Sequence, residues 1–163
     1  MKRMKFGAVA AASCLLVAAL LAGCAPSEAD AIRTRWGVSL PRGLKTVYHG
    51  DSFGWFGDGY SYTVFTGTGE PMTTERFTAF CLGELEGCTL KTDGAYRTRL
   101  EEEASATVRR LNVPEEYAPD FSGEYWYSLG GYTPQEYGDF AVEGVLFVWF
   151  ESESLLTVFE GRS

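Results

Sequence analysis

Apolar and polar positions along this chain of 163 residues fall into three kinds of run. The first, Phe6 to Ala22, is apolar or small throughout and carries no charge. The second kind alternates. In Tyr60 to Thr66 an extended backbone puts Tyr60, Tyr62 and Val64 on one face and Ser61, Thr63 and Phe65 on the other. Lys45 to His49 is similarly rich in β-branched and aromatic residues. Between them, Gly50 to Gly59 holds four glycines in ten residues, which predicts a β-hairpin with a long loop. The third kind has helical spacing. Pro71 with Thr73 or Thr74 opens a short helix in which Phe77, Phe80 and Cys81 share a side and Gly83 provides an end. A longer helix is expected over Gly94 to Asn112, capped by Asp93 and stopped by Pro114. Its apolar stripe is Tyr96, Leu100, Ala104, Val108 and Leu111. Glu101, Glu102 and Glu103 toward its start, and Arg109 and Arg110 in its last turn, complement the helix dipole.

Residues 114–142 read as loop dense in aromatic side chains, with a strand at Glu124 to Leu129. Val145 to Phe150 is apolar at every position, which predicts a central strand buried on both faces. Glu151 to Ser154 is a polar turn, and Leu155 to Phe159 returns. The order β-β-α-α-β-β-β predicts an α+β fold: an antiparallel sheet of about five strands with two helices on one face. One domain is expected, over residues 36–163.

The first apolar run changes the picture. Lys2, Arg3 and Lys5 precede it, and small residues close it, as in a secretory signal. Its last residues, Leu21-Ala22-Gly23-Cys24, resemble the lipobox of bacterial lipoproteins, and the chain is similar in this respect to small bacterial lipoproteins of unknown function. The resemblance implies removal of residues 1–23 as a lipoprotein signal peptide and a diacylglyceryl group on Cys24. It implies anchoring on the extracytoplasmic face of the cell membrane. In a two-membrane host the anchor would lie in the outer membrane, since Ala25 and not Asp follows the cysteine. The alternative is an uncleaved anchor, because the run is about as long as the shortest spanning helix. Residues 24–35 are small and polar, and are expected to form the lipidated tether.

Without residues 1–23 the chain keeps 140 residues and a formal net charge of −11. That length suits one domain with a substantial core. That charge argues against nucleic acid as a partner. Four cysteines are present; Cys14 leaves with the signal and Cys24 carries lipid, so Cys81 and Cys88 remain. In an oxidising compartment they are expected to form a disulfide. Closing so short a loop contributes about 2–3 kcal/mol. The alternative is a pair of buried thiols. The only histidine is far off in sequence, so no zinc site is expected.

Gly50-Asp51-Ser52-Phe53-Gly54 fits G-x-S-x-G, and its Gly-Asp-Ser core looks like the first block of the GDS-type esterases. Both patterns require a histidine downstream of the serine, whereas His49 lies upstream. The esterase pattern also needs an Asn block, and the only asparagine is Asn112. Turn glycines account for the motif more simply. His49 and Asp51, two apart on a strand end, share a face and could touch. Asp51 and Asp58 could converge on calcium across the loop, but their spacing matches no EF-hand. No metal and no cofactor are expected. Aromatic side chains suit glycan stacking or protein contact, and the candidate binding residues are Trp55, Phe56, Tyr60, Tyr125 and Tyr127. The expected function is a non-catalytic binding or accessory module of the cell envelope, meeting an envelope protein or a glycan. The alternatives are a small envelope hydrolase using Ser52 and His49, and a purely structural spacer.

Overall fold

The computed structural model of the protein describes residues 26–54, 58–69, 71–85, 95–130 and 144–162, with the side chains of 95–98 excepted. The first described element is a helix, α1 (Glu28–Trp36). This corrects the expectation of a tether through residue 35. The physical reason is a capping box. Ser27 Oγ accepts from the Asp30 amide at 3.2 Å, while the Asp30 carboxylate accepts from the Ser27 amide and, at 2.7 Å, from its hydroxyl. Gly37, at φ 72°, closes the helix by donating to the Arg33 carbonyl. Ile32, in the middle of α1, is fully buried.

Among the described residues five strands follow: β1 (Leu44–Asp51), β2 (Gly59–Gly67), β3 (Trp126–Gly130), β4 (Gly144–Phe150) and β5 (Leu155–Arg162). All pairs are antiparallel, in the order β1-β2-β5-β4-β3. Two further helices, α2 (Thr74–Glu84) and α3 (Ala95–Arg110), lie in sequence between β2 and β3. The fold is α+β, built on one antiparallel five-stranded sheet. Thr73 caps α2 by accepting from the Arg76 amide, and α2 runs through Gly83 to Glu84. Asn112, at φ 50°, ends the α3 segment, with the Val113 amide reaching back to the Val108 carbonyl. The expected cap Asp93 lies outside the described residues.

The three described helices do not all share a face. Phe77, Phe80 and Cys81 of α2 pack with Ile32 of α1 on Phe65, Val145, Phe147, Trp149, Leu156 and Val158. Leu100 and Ala104 of α3 pack on the other face, on Tyr62, Val64, Leu146, Val148, Phe150 and Phe159. The expectation of two helices on one face is therefore corrected to helices on both. The cause is visible in β4: every residue of this strand is buried, so neither side can be left to water.

Candidate functional site

One end of the sheet carries polar residues where its face should be apolar. A bulge in β1 helps to place them. The register shifts between Thr46 and Tyr48, leaving Val47 unpaired and 37% exposed. One extra residue reverses the facing of all that follows. His49, opposite Thr63, and Asp51, opposite Ser61, thereby join the face that holds α1. On β5, Glu160 lies opposite Ser61 in β2. Along this face Leu156 and Val158 are part of the core, and Glu160 continues the same alternation as a charged residue.

Glu160 is fully buried, and its carboxylate is saturated. Oε1 accepts from Arg35 Nη2 at 2.8 Å and from Ser61 Oγ at 2.5 Å. Oε2 accepts from Arg35 Nε at 2.7 Å and from Trp36 Nε1 at 2.6 Å. The Arg35 fork is bidentate, the arrangement that suits a guanidinium best. The Arg35 guanidinium carbon also lies over the Phe53 ring, 5.8 Å from the centroid. At the other end of α1, Glu28 Oε2 lies 3.4 Å from His49 Nδ1. The same nitrogen is 2.9 Å from Thr63 Oγ1, and Nε2 is 3.2 Å from Asp51 Oδ2. Glu28 and Arg35 are about 10 Å apart along the helix, close to the two-strand step of about 10 Å from β1 to β5. Helix α1 thus crosses β1, β2 and β5 at this end of the sheet, fastened by side chains at both of its ends.

The hairpin loop begins at the same end. Ser52 and Gly54 continue the ladder, their amides donating to the carbonyls of Tyr60 and Asp58 at 2.8 Å each. Gly59, at φ 140°, is required here: a Cβ would come within 2.6 Å of the Ser52 carbonyl oxygen. This is the hairpin that the glycines predicted, and the described residues after Ser52, up to β2, continue its ladder and form no helix. The Ser52 hydroxyl is engaged by backbone: it accepts from the Tyr60 amide at 3.2 Å and faces the Tyr60 carbonyl at 3.4 Å. His49 and Asp51 do meet, as their shared face suggested. The two carboxylates near His49 address different ring nitrogens and so do not converge on one point. Among the described residues no three Asp, Glu, His or Cys side chains gather as metal ligands.

The aromatic candidates divide. Trp55 and Phe56 lie outside the described residues, as do Cys24 and Cys88. Tyr60 is half-buried beneath Arg110, whose guanidinium sits 4.7 Å from the ring centroid. Tyr125 and Tyr127 are corrected from binding residues to core: they are 6% and 1% exposed. Tyr125 packs at tilted and edge-on angles among Phe121, Tyr127 and Phe150 and donates its hydroxyl to Glu101 at 2.8 Å. Both fall on the face covered by α3, where a polar hydroxyl at the rim lets an aromatic ring be buried. Cys81 is fully buried in the core beside Phe77 and Phe80.

The expected last strand, Leu155 to Phe159, stops one residue short of Glu160. The signal for the cluster is the alternation itself, Leu156, Val158, Glu160, which puts a charge at an inward position and so calls for partners such as Arg35 and Trp36.

No family model matches this chain, and neither a curated protein nor a solved structure matches it. Among the described residues no helix is long and apolar enough to cross a membrane; the run Phe6 to Ala22 is not among them.

Proposed function

We propose that this protein is a lipid-anchored lipoprotein of the cell envelope, and that its domain binds a partner rather than catalyses a reaction. Leu21-Ala22-Gly23-Cys24, after a basic start and an uncharged apolar run, supports the anchor. Placement on the extracytoplasmic face supports in turn a disulfide between Cys81 and Cys88. The observation that carries the non-catalytic reading is the separation of the serine from the histidine's contacts. Ser52 is held by the Tyr60 backbone, while the His49 nitrogens face Thr63, Glu28 and Asp51. A serine nucleophile needs a base on its own hydroxyl. The loop between Gly54 and Asp58 contributes Trp55 and Phe56, side chains suited to anchoring an envelope protein or stacking on a glycan.

The His49–Asp51 contact is what favours the second reading, a small envelope hydrolase. One experiment tests the anchor, and two separate these readings. Intact-mass analysis of the membrane-bound protein is expected to show a diacylglyceryl group on Cys24, and an uncleaved, unmodified N-terminus would overturn the anchor. Cross-linking from native membranes is expected to capture a partner that is lost in Trp55→Ala/Phe56→Ala. Hydrolysis of activated esters that disappears in Ser52→Ala would instead establish the enzyme.

A further inference from the structure

Anchoring through Cys24, if that reading holds, leaves very little free chain. Only residues 25–27 separate the lipidated cysteine from the first residue of α1. Fully extended, the path from Cys24 to Glu28 covers at most about 14 Å. The chain from Glu28 onward is not a continuation of the tether. It is a capped helix clamped to the sheet by Arg35 and Trp36 on buried Glu160 at one end, with Glu28 Oε2 lying 3.4 Å from His49 Nδ1 at the other. Those clamps all lie at one end of the sheet, the end marked by Asp51 on β1, Asp58 before β2 and Arg162 on β5. The opposite end, with the exposed turn of Glu151 to Glu153, is a strand length away, about 24 Å along β5.

We infer that the domain is held in a fixed orientation on the bilayer, with the α1 end of the sheet against the lipid headgroups and the Glu151–Glu153 turn facing away. The inference rests on lipid attachment at Cys24 and deepens it: α1 converts a flexible leash into a rigid bracket. A swivelling domain would present all its surfaces to the envelope. A bracketed one keeps the β1–β2 hairpin beside the membrane, so the hairpin meets only what lies in or on the same bilayer. The surface apposed to the headgroups is polar and includes Asp30, Arg33, Asp51 and Asp58, all of them solvent-exposed or half-buried. It therefore docks by proximity to the anchor, without inserting.

Energy transfer tests this on the full lipidated chain in phosphatidylcholine/phosphatidylglycerol vesicles carrying a headgroup acceptor. Donors are placed by Asp58→Cys at the α1 end and by Glu153→Cys at the far end, with the parent chain as the labelling background. Transfer from position 58 is expected to be roughly twice that from position 153 or more, given strands about 24 Å long. A long Gly/Ser insertion between Ala25 and Pro26, which leaves the folded domain untouched, is expected to abolish the difference. Intact mass is measured on the same vesicles. Absence of lipid on Cys24 would overturn the anchor and this orientation with it. Lipid on Cys24 with equal transfer from both positions, or with greater transfer from 153, would overturn the orientation alone.

Discussion

Phe159 and Glu160 are neighbours on the central strand and point to opposite faces of the sheet. Phe159 joins an aromatic layer, with the Tyr62 ring 4.7 Å from its own and α3 behind. Glu160 is as deeply buried, yet it sits among Arg35, Trp36 and Ser61. One face is stabilised by removing apolar area from water, which needs no particular partner. The other is stabilised only while every donor finds its acceptor, because an unpaired buried charge costs far more than it returns. The apolar face specifies that the sheet is covered. The polar end specifies what covers it: only a segment bringing a guanidinium and an indole in the right order, as α1 does, satisfies Glu160.

The largest effects come from breaking each face at these two positions. Glu160→Ala strands Arg35 and Ser61 and is expected to cost about 3–5 kcal/mol. Phe159→Ala is expected to cost a similar amount, about 3–5 kcal/mol, through lost burial and the cavity left behind. Urea unfolding at neutral pH measures both. The faces then part company. Glu160→Leu combined with Arg35→Met, Trp36→Phe and Ser61→Ala is expected to recover most of the loss, since apolar replacement of a whole buried ion cluster is often neutral or better. A quadruple variant no more stable than Glu160→Ala would show that the polar cluster does something apolar packing cannot.

A smaller effect isolates α1 from the sheet beneath it. Ser27→Ala removes one half of the capping box and is expected to cost about 1 kcal/mol. Hydrogen exchange should quicken in residues 28–31 and stay unchanged in β4, and equal quickening in both would mean that α1 unfolds only with the whole domain. The same cap has a pH signature. Hydrogen bonds from the Ser27 side chain and backbone hold the Asp30 carboxyl below its ordinary value. Its contribution is therefore present above the ordinary carboxylate range and is lost as pH falls through the lowered value. In Ser27→Ala that acid-side loss should shrink.

How far this was legible varies with the physics. Strand β2 could be read to the face: Tyr62 and Val64 lie in one core cluster and Phe65 in the other, as their alternation requires. Leu100 and Ala104 of α3, and Phe77, Phe80 and Cys81 of α2, are buried as their spacing demands. The placement of the helices on both faces is also present in the sequence, in the two-sided apolarity of Val145 to Phe150, which a two-layer scheme with helices on one face leaves unsatisfied. Helix α1 was harder to see. Only Ile32 in it is buried, and its other signals are a cap, Ser27 to Asp30, and a closing Gly37. The partners of Glu160 depend on a contact across 125 positions, and the facing of His49 and Asp51 depends on a bulge in β1; neither leaves a periodic trace. Tyr125 and Tyr127 show the converse: aromatic density marks either a surface or a core, and only the register decides.

The subtlest test of the apolar face is one of its buried phenols, Tyr62. Tyr62 has no exposure, and its hydroxyl donates to the Tyr117 carbonyl at 2.7 Å. Burial pushes this phenol well above its ordinary value of 10.0, with the charge of Glu153 adding to the effect. Above pH 10 the unfolded chain releases the Tyr62 proton while the native chain keeps it, so the native state binds more protons and stability falls as pH rises. The contribution is thus complete below pH 10 and is lost on the alkaline side. Tyr62→Phe keeps the ring and removes both the hydrogen bond and the titration. At neutral pH it is expected to cost about 1 kcal/mol, the usual net value of one buried hydrogen bond. Between pH 10 and pH 11 its stability should fall less steeply than wild type, by up to about 1.4 kcal/mol. Parallel alkaline profiles of the two proteins would mean that the phenol ionises without unfolding, and that the aromatic face admits water where its packing implies none.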